Sequence, residues 1–183
     1  FNMHANVGVS IPTGSIDEKD IILPPMGVPV EKTLPYAMQL GSGTWDVELG
    51  ITANGTVGDF SYGGQYKGTW RTGENDADYR LGNQHVLTSW GAYRVTDYLS
   101  GSLRLSYRNT GDIDGLDTRV QLPVQTANPN NYGGERVDLG IGFNLLGQQA
   151  RIKGHRLAFE YELPLSQHVH LSLIHISEPT RQH

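Results

Sequence analysis

Apolar and polar residues alternate along most of this chain, in seven separate stretches. The first sets Met3, Ala5, Val7, Val9 and Ile11 on one side and Asn2, His4, Asn6, Gly8 and Ser10 on the other. A period of two is the signature of a β-strand with unlike faces. The second stretch places Trp45, Val47, Leu49, Ile51 and Ala53 against Asp46, Glu48, Gly50 and Thr52. The third places Phe60, Tyr62, Gly64, Tyr66, Gly68 and Trp70 against Ser61, Gly63, Gln65, Lys67, Thr69 and Arg71. These two read as a hairpin in which Asp46 faces Lys67, Glu48 faces Gln65 and Ile51 faces Tyr62, with Trp45 covering Gly68.

The fourth stretch, Val86, Thr88, Trp90 and Ala92 on the expected apolar side, alternates least well, because Leu87 falls opposite. A short turn at Thr96 and Asp97 leads to the fifth, with Leu99, Gly101, Leu103, Leu105 and Tyr107 against Ser100, Ser102, Arg104, Ser106 and Arg108. The sixth has Val137, Leu139, Ile141, Phe143 and Leu145 against Arg136, Asp138, Gly140, Gly142 and Asn144. The seventh has Leu157, Phe159, Tyr161 and Leu163 against Arg156, Ala158, Glu160 and Glu162.

The connections alternate in length as well: long (13–43), short (54–58), medium (72–79), short (96–97), long (110–134) and modest (147–154). Strands of about ten residues joined this way are expected of an antiparallel up-and-down transmembrane β-barrel, with short periplasmic turns and longer external loops. Trp45, Tyr66, Trp70, Tyr107 and Tyr161 lie on apolar sides, several near segment ends, as interface girdles require. The competing fold is a soluble sandwich, whose polar faces meet bulk water and favour Lys and Glu. Here those faces are rich in Gly, Ser, Asn and Arg, which suits a crowded barrel interior.

Composition narrows the class. The chain has 183 residues, a formal net charge of −5, 23 glycines and no cysteine. Its mean hydropathy is −0.40. No run approaches the 18 or so apolar residues of a membrane-spanning helix, whereas a barrel hides its lipid face from any such average. The net negative charge, without a basic stripe, argues against nucleic-acid binding. Absence of cysteine fits an oxidising envelope but decides little. The chain opens at Phe1 inside an alternating stretch, with no initiator Met or signal peptide, so an earlier part of the protein is expected to be missing.

Residues 171 to 181, LSLIHISEPTR, resemble the translation of a transposase adapter used in sequencing libraries. The expected organisation is therefore a partial outer-membrane β-barrel over 1–170 and a non-native tail over 171–183. His168, His170 and His175 are accordingly not read as a metal site, although His-x-His on a strand puts two imidazoles on one face.

The stretches VSIPTGSID (Val9 to Asp17) and LGSGTWDVELGI (Leu40 to Ile51) carry a family likeness. They resemble outer-membrane proteins of the phenol-degradation meta pathway, commonly described as transporters. The matching residues are Pro12, Thr13 and Gly14, then Gly41, Gly43, Trp45 and Asp46, and the likeness runs from about Phe1 to Ser166. It implies passage of small molecules, aromatic or apolar ones among them, and carries over no residue-level chemistry. Seven strands are legible and at least one more is expected at the C-terminal end, so the general rule for such barrels gives an even total of about 8 to 14, with about 12 expected.

The set expected to line the lumen is Asp46, Glu48, Lys67, Arg71, Arg104, Arg108, Arg136, Asp138, Glu160 and Glu162. Both signs of charge in a narrow cylinder either pair into a plug or face water along a channel, and the channel is the favoured expectation. Acidic runs at Asp17 to Asp20, Glu74 to Asp78 and Asp112 to Asp117 read as solvated loops. Asp112, Asp114 and Asp117 do not complete an EF-hand. Catalysis is not expected: His85 and Ser89 stand roughly 13 Å apart along a strand, too far for proton transfer, and Asp76 with Asp78 is a weak acidic pair. No catalytic residue, metal or cofactor is expected. The expected location is the bacterial outer membrane, with its lipid, lipopolysaccharide and a small-molecule solute as partners and nucleic acid excluded. A structural or adhesive barrel is the alternative, and a barrel-embedded hydrolase a lesser one.

Overall fold

The computed structural model describes residues 1–22, 27–120, 125–148 and 153–170. In chain order the strands are β1 (Asn2–Ser10), β2 (Lys19–Ile22), β3 (Val30–Thr33), β4 (Trp45–Val57), β5 (Phe60–Thr72), β6 (Tyr79–Arg80), β7 (Gln84–Arg94), β8 (Leu99–Thr110), β9 (Asp114–Gly115), β10 (Gly134–Leu146) and β11 (Arg156–Val169). Three short 3-10 turns, at Tyr36–Met38, Gln125–Ala127 and Pro129–Asn131, complete an all-β chain. Seven strands form one antiparallel sheet in the order β1-β4-β5-β7-β8-β10-β11, each beside its predecessor along the chain. Among the described residues β1 pairs only with β4 and β11 only with β10, so the sheet is open at both edges.

The seven alternating stretches are these seven strands, but several are longer than the expected ten residues, up to 14 in β11. β4 runs through Asn54 and Gly55 to Val57, and the hairpin turns on Gly58 and Asp59 alone. Gly58 has φ +57, which a type II′ two-residue turn demands at its first position. That shorter turn moves the register by four residues. Asp46 faces Arg71 rather than Lys67, Glu48 faces Thr69 rather than Gln65, and Ile51 faces Tyr66 rather than Tyr62. Trp45 stands opposite Thr72, and the side chains crowding Gly68 are Trp70 and Tyr66 of its own strand. Since the shift is even, every residue keeps its face.

In β7 the faces are reversed from expectation. The turn into β8 holds three residues, Thr96 to Tyr98, instead of two, and the added residue changes the parity of the pairing. Leu87 and Tyr93, 54% and 56% exposed, therefore lie on the sheet's apolar side. Val86, Thr88, Trp90 and Ala92 lie with Lys67, Gln65, Gly63 and Ser61 on the polar side.

The sheet is curled. Flat, β5 and β11 would stand about 19 Å apart, four spacings of about 4.8 Å. Yet Ser61 and Gln65 of β5 and Arg156 and Glu160 of β11 line one cavity of about 610 Å³. The polar side is thus the inside of a trough, and the apolar side its convex back. Nothing among the described residues covers that back. Val7, Leu49, Ile51, Leu87, Leu103, Ile141 and Phe159 are all exposed, and no large apolar residue of the seven-stranded sheet is buried among the described residues.

The buried apolar core sits elsewhere, where the three long connections gather at one end of the sheet. Tyr36, Ala77, Tyr79, Ile113, Val120 and Ala127 form it, with Ile16, Leu81 and Tyr132 packed against it. Tyr36 meets Tyr79 edge-on at 4.8 Å between ring centroids and Tyr132 at 5.6 Å. The β6–β9 ladder, Tyr79 with Gly115 and Arg80 with Asp114, ties the second long loop to the third. These loops make a knitted cap.

Candidate functional site

The register places all ten residues expected to line a lumen on the concave face. Nearest the cap, Asp46 is 1% exposed and accepts from Thr44 Oγ1 at 2.6 Å, from Ser42 Oγ at 3.0 Å and from Arg71. One step inward Glu48 pairs diagonally with Lys67 at 3.1 Å. Arg136 pairs with Asp138 on its own strand at 2.7 Å. Towards the turn end Arg104 holds both Glu160 and Glu162, the latter at 3.2 Å. Five carboxylates are thereby occupied.

Cations outnumber them. Apart from the Arg94–Asp59 pair at the rim (3.7 Å), the concave face presents Lys67, Arg71, Arg104, Arg108, Arg136 and Arg156 against those five. Arg108 stands directly opposite Arg136 and has no carboxylate partner among the described residues. Like charges in register repel unless water or an anion lies between them. Arg156 donates through Nε to Asn144 Oδ1 at 3.0 Å and likewise meets no carboxylate among the described residues. The chain is net acidic, so the excess of acid lies outside the trough, largely in the loops.

Trp90 is the bulkiest of the four β7 residues that lie on the concave rather than the expected apolar side. Its indole lies against Gly63 so closely that any Cβ there would collide with it, and its ring also lines the 610 Å³ cavity together with Arg104 and Arg156. Leu87 was the available signal, since a lone large apolar residue among Gln, Thr and Ser marks the outward side.

Carboxylates in two of the three acidic runs are paired rather than simply solvated. Asp117, 2% exposed, receives the Arg119 backbone N–H at 2.8 Å and its guanidinium, which also reaches Asp17 across 102 residues of chain. Burial alone would push the Asp117 carboxyl up. The Arg119 guanidinium and backbone N–H outweigh it and hold the carboxyl below its ordinary value. Arg119 is raised in turn, chiefly by its bond to Asp117. Burial pushes the Tyr36, Tyr79 and Tyr132 hydroxyls up. Asp114 pairs with Arg80 at 2.8 Å, and Asp112 accepts from Gly133 N–H at 3.0 Å and lies 2.6 Å from His170 Nδ1. Asp76 and Asp78 are both exposed.

His85 lies on the convex side, 2.8 Å from the Tyr66 hydroxyl and edge-on to Trp70. His168 lies near Ser166, His175 falls outside the described residues with the rest of the adapter-like tail, and no group of three or more potential metal ligands occurs among the described residues.

The chain matches no protein-family model, no curated protein and no solved structure.

Proposed function

We propose that this chain belongs to an outer-membrane β-barrel that passes small solutes through a water-filled, charged interior. The uncovered apolar back of the sheet carries the reading. A soluble sandwich would pack that face on a second sheet, whereas lipid covers it in a transmembrane barrel. Its dimensions agree. Phe60 and Trp70 stand on the convex face at the two ends of β5. Their separation is about 34 Å along a strand and about 26 Å in height at a tilt of about 40°, against an apolar band of about 25 Å. Phe60, Tyr93, Phe143 and Phe159 occupy one row of directly paired positions, with Gly101 between Tyr93 and Phe143, as an aromatic girdle at the turn end.

Transport rather than plain anchorage is favoured by the wall charges, because Arg108 and Arg156 face the trough without counter-ions from the described wall and need water or anions beside them. The knitted cap favours the second reading, a barrel whose mouth is closed and whose role is structural or adhesive. Single-channel recording of the complete polypeptide in planar bilayers separates the two. Discrete conductance steps are expected. Bilayer insertion with neither conductance nor solute uptake into liposomes would leave the structural role.

A further inference from the structure

The three-residue turn after β7 delivers one aromatic side chain to a wall that otherwise has none. Among the described concave-face strand positions Trp90 is the sole Phe, Tyr or Trp. We propose that the wall around Trp90 is a binding site for a small planar organic anion, an aryl carboxylate in the simplest case. The proposal rests on reading the trough as a solute path and specifies what that path selects.

Three features of the wall converge on this class. Gly63 gives the indole a seat: with no Cβ in the way, the ring leans across β5 and is held there, half-buried, while still lining the cavity. A fixed aromatic surface stacks on another planar π system at little conformational cost. Arg156 lies on the same cavity, bonded to the neutral Asn144 rather than to an acid, so its charge is left for a ligand carboxylate. Arg104, directly opposite Trp90 on β8, engages the two nearby acids, Glu160 and Glu162, so that neither is paired with Arg156. A planar guanidinium fork matches a carboxylate in two bonds, which an ammonium does not.

The rest of the lining leaves room. Ser61, Ala92, Ser102 and Ala158 are small, and Gln65 and Thr88 add neutral hydrogen-bonding groups to the 610 Å³ space. A neutral arene would meet the ring but leave Arg156 unused. A saturated carboxylate would meet Arg156 but lose the stacking. An organic cation would face the unpaired Arg156, while the acids here, Glu160 of the lining and its neighbour Glu162, are already held by Arg104.

The test uses the complete polypeptide and sodium benzoate as probe, with cyclohexanecarboxylate and phenol as comparators. In planar bilayers benzoate is expected to interrupt single-channel current at concentrations about fivefold to tenfold below either comparator. Arg156→Gln and Trp90→Leu are each expected to raise the half-blocking concentration of benzoate by a similar factor, with Trp90→Phe restoring part of it. Calorimetric titration of benzoate into micelle-folded protein reads the same site without requiring a channel. Conductance with equal sensitivity to benzoate and cyclohexanecarboxylate overturns the site and leaves the transport reading standing. Benzoate binding that Trp90→Leu abolishes, in a protein that does not conduct, keeps the site and overturns transport. Neither binding nor block overturns the proposal.

Discussion

Val95 donates its backbone N–H to the carbonyl of Leu99 at 2.9 Å, and with that bond the β7–β8 turn is closed around Thr96, Asp97 and Tyr98. Thr96 stabilises it by accepting the Leu99 N–H at its hydroxyl, 3.1 Å. In a strand whose side chains alternate, one turn residue decides which half of β7 meets the trough. Trp90 enters the concave wall for that reason.

Cysteine scanning reads the reversal directly, because residues 1–183 hold no cysteine to interfere. In vesicle-embedded protein, Thr88→Cys and Ala92→Cys are expected to react with charged, water-soluble thiol reagents. Leu87→Cys is expected to react only with a lipophilic maleimide. The opposite pattern would restore the two-residue turn.

Gly63→Ala should be costly and Gly64→Ala nearly silent. A methyl at Gly63 collides with the Trp90 ring, whereas one at Gly64 meets only the Thr88 carbonyl at 3.6 Å. Displacing the indole is expected to destabilise by about 1 to 3 kcal/mol in urea titrations of folded protein. Equal midpoints for the two variants would show that Trp90 does not rest on Gly63.

Asp46→Ala removes the partner of a largely buried Arg71 and leaves the Thr44 hydroxyl facing an empty position. Breaking a buried pair from one side typically costs about 3 to 5 kcal/mol. Asp46→Asn, which retains hydrogen-bond acceptance, should lose less. Denaturant midpoints of the two variants order them.

The cap should open in both acid and alkali. Asp117 is held below its ordinary value when folded, so its contribution is complete above about pH 4 and is lost as pH falls through the folded value. The Tyr36, Tyr79 and Tyr132 hydroxyls are raised by burial, so their contribution is complete below about pH 10 and is lost as pH rises beyond it. Hydrogen exchange in peptides spanning the cap should stay slow from about pH 5 to 9, after correction for intrinsic rates, and accelerate outside that window. Protection that is flat through pH 3 would remove Asp117 from the cap's stability.

The strands were legible because their period is enforced by two unlike surroundings, and β1, β4, β5, β8, β10 and β11 show the faces their alternation predicts. The β4–β5 register was not legible, since Asn54 and Gly55 look like turn residues. In the sheet Gly55 is an ordinary strand position under the Tyr62 ring. For β7, Leu87 carried the correct information but was outweighed by the tidy two-residue turn at Thr96 and Asp97. The cap left no clear periodic trace: Tyr36, Tyr79, Ile113 and Val120 come from three separate loops, and only their meeting in space makes a core. On the concave face, charge type was readable residue by residue, while which carboxylate neutralises which cation depended on the register.

The Tyr36 hydroxyl and the Asp117 backbone N–H that it accepts are separated by 81 residues of chain, and Asp17 and Arg119 by 102. Contacts so distant in sequence cannot stabilise an early, partly zipped chain, because the entropy of closing such loops is repaid only once the intervening strands are already aligned. The cap is therefore a late event in maturation, and its protection in a time-resolved refolding experiment would serve as a clock for the moment when the meander has found its register.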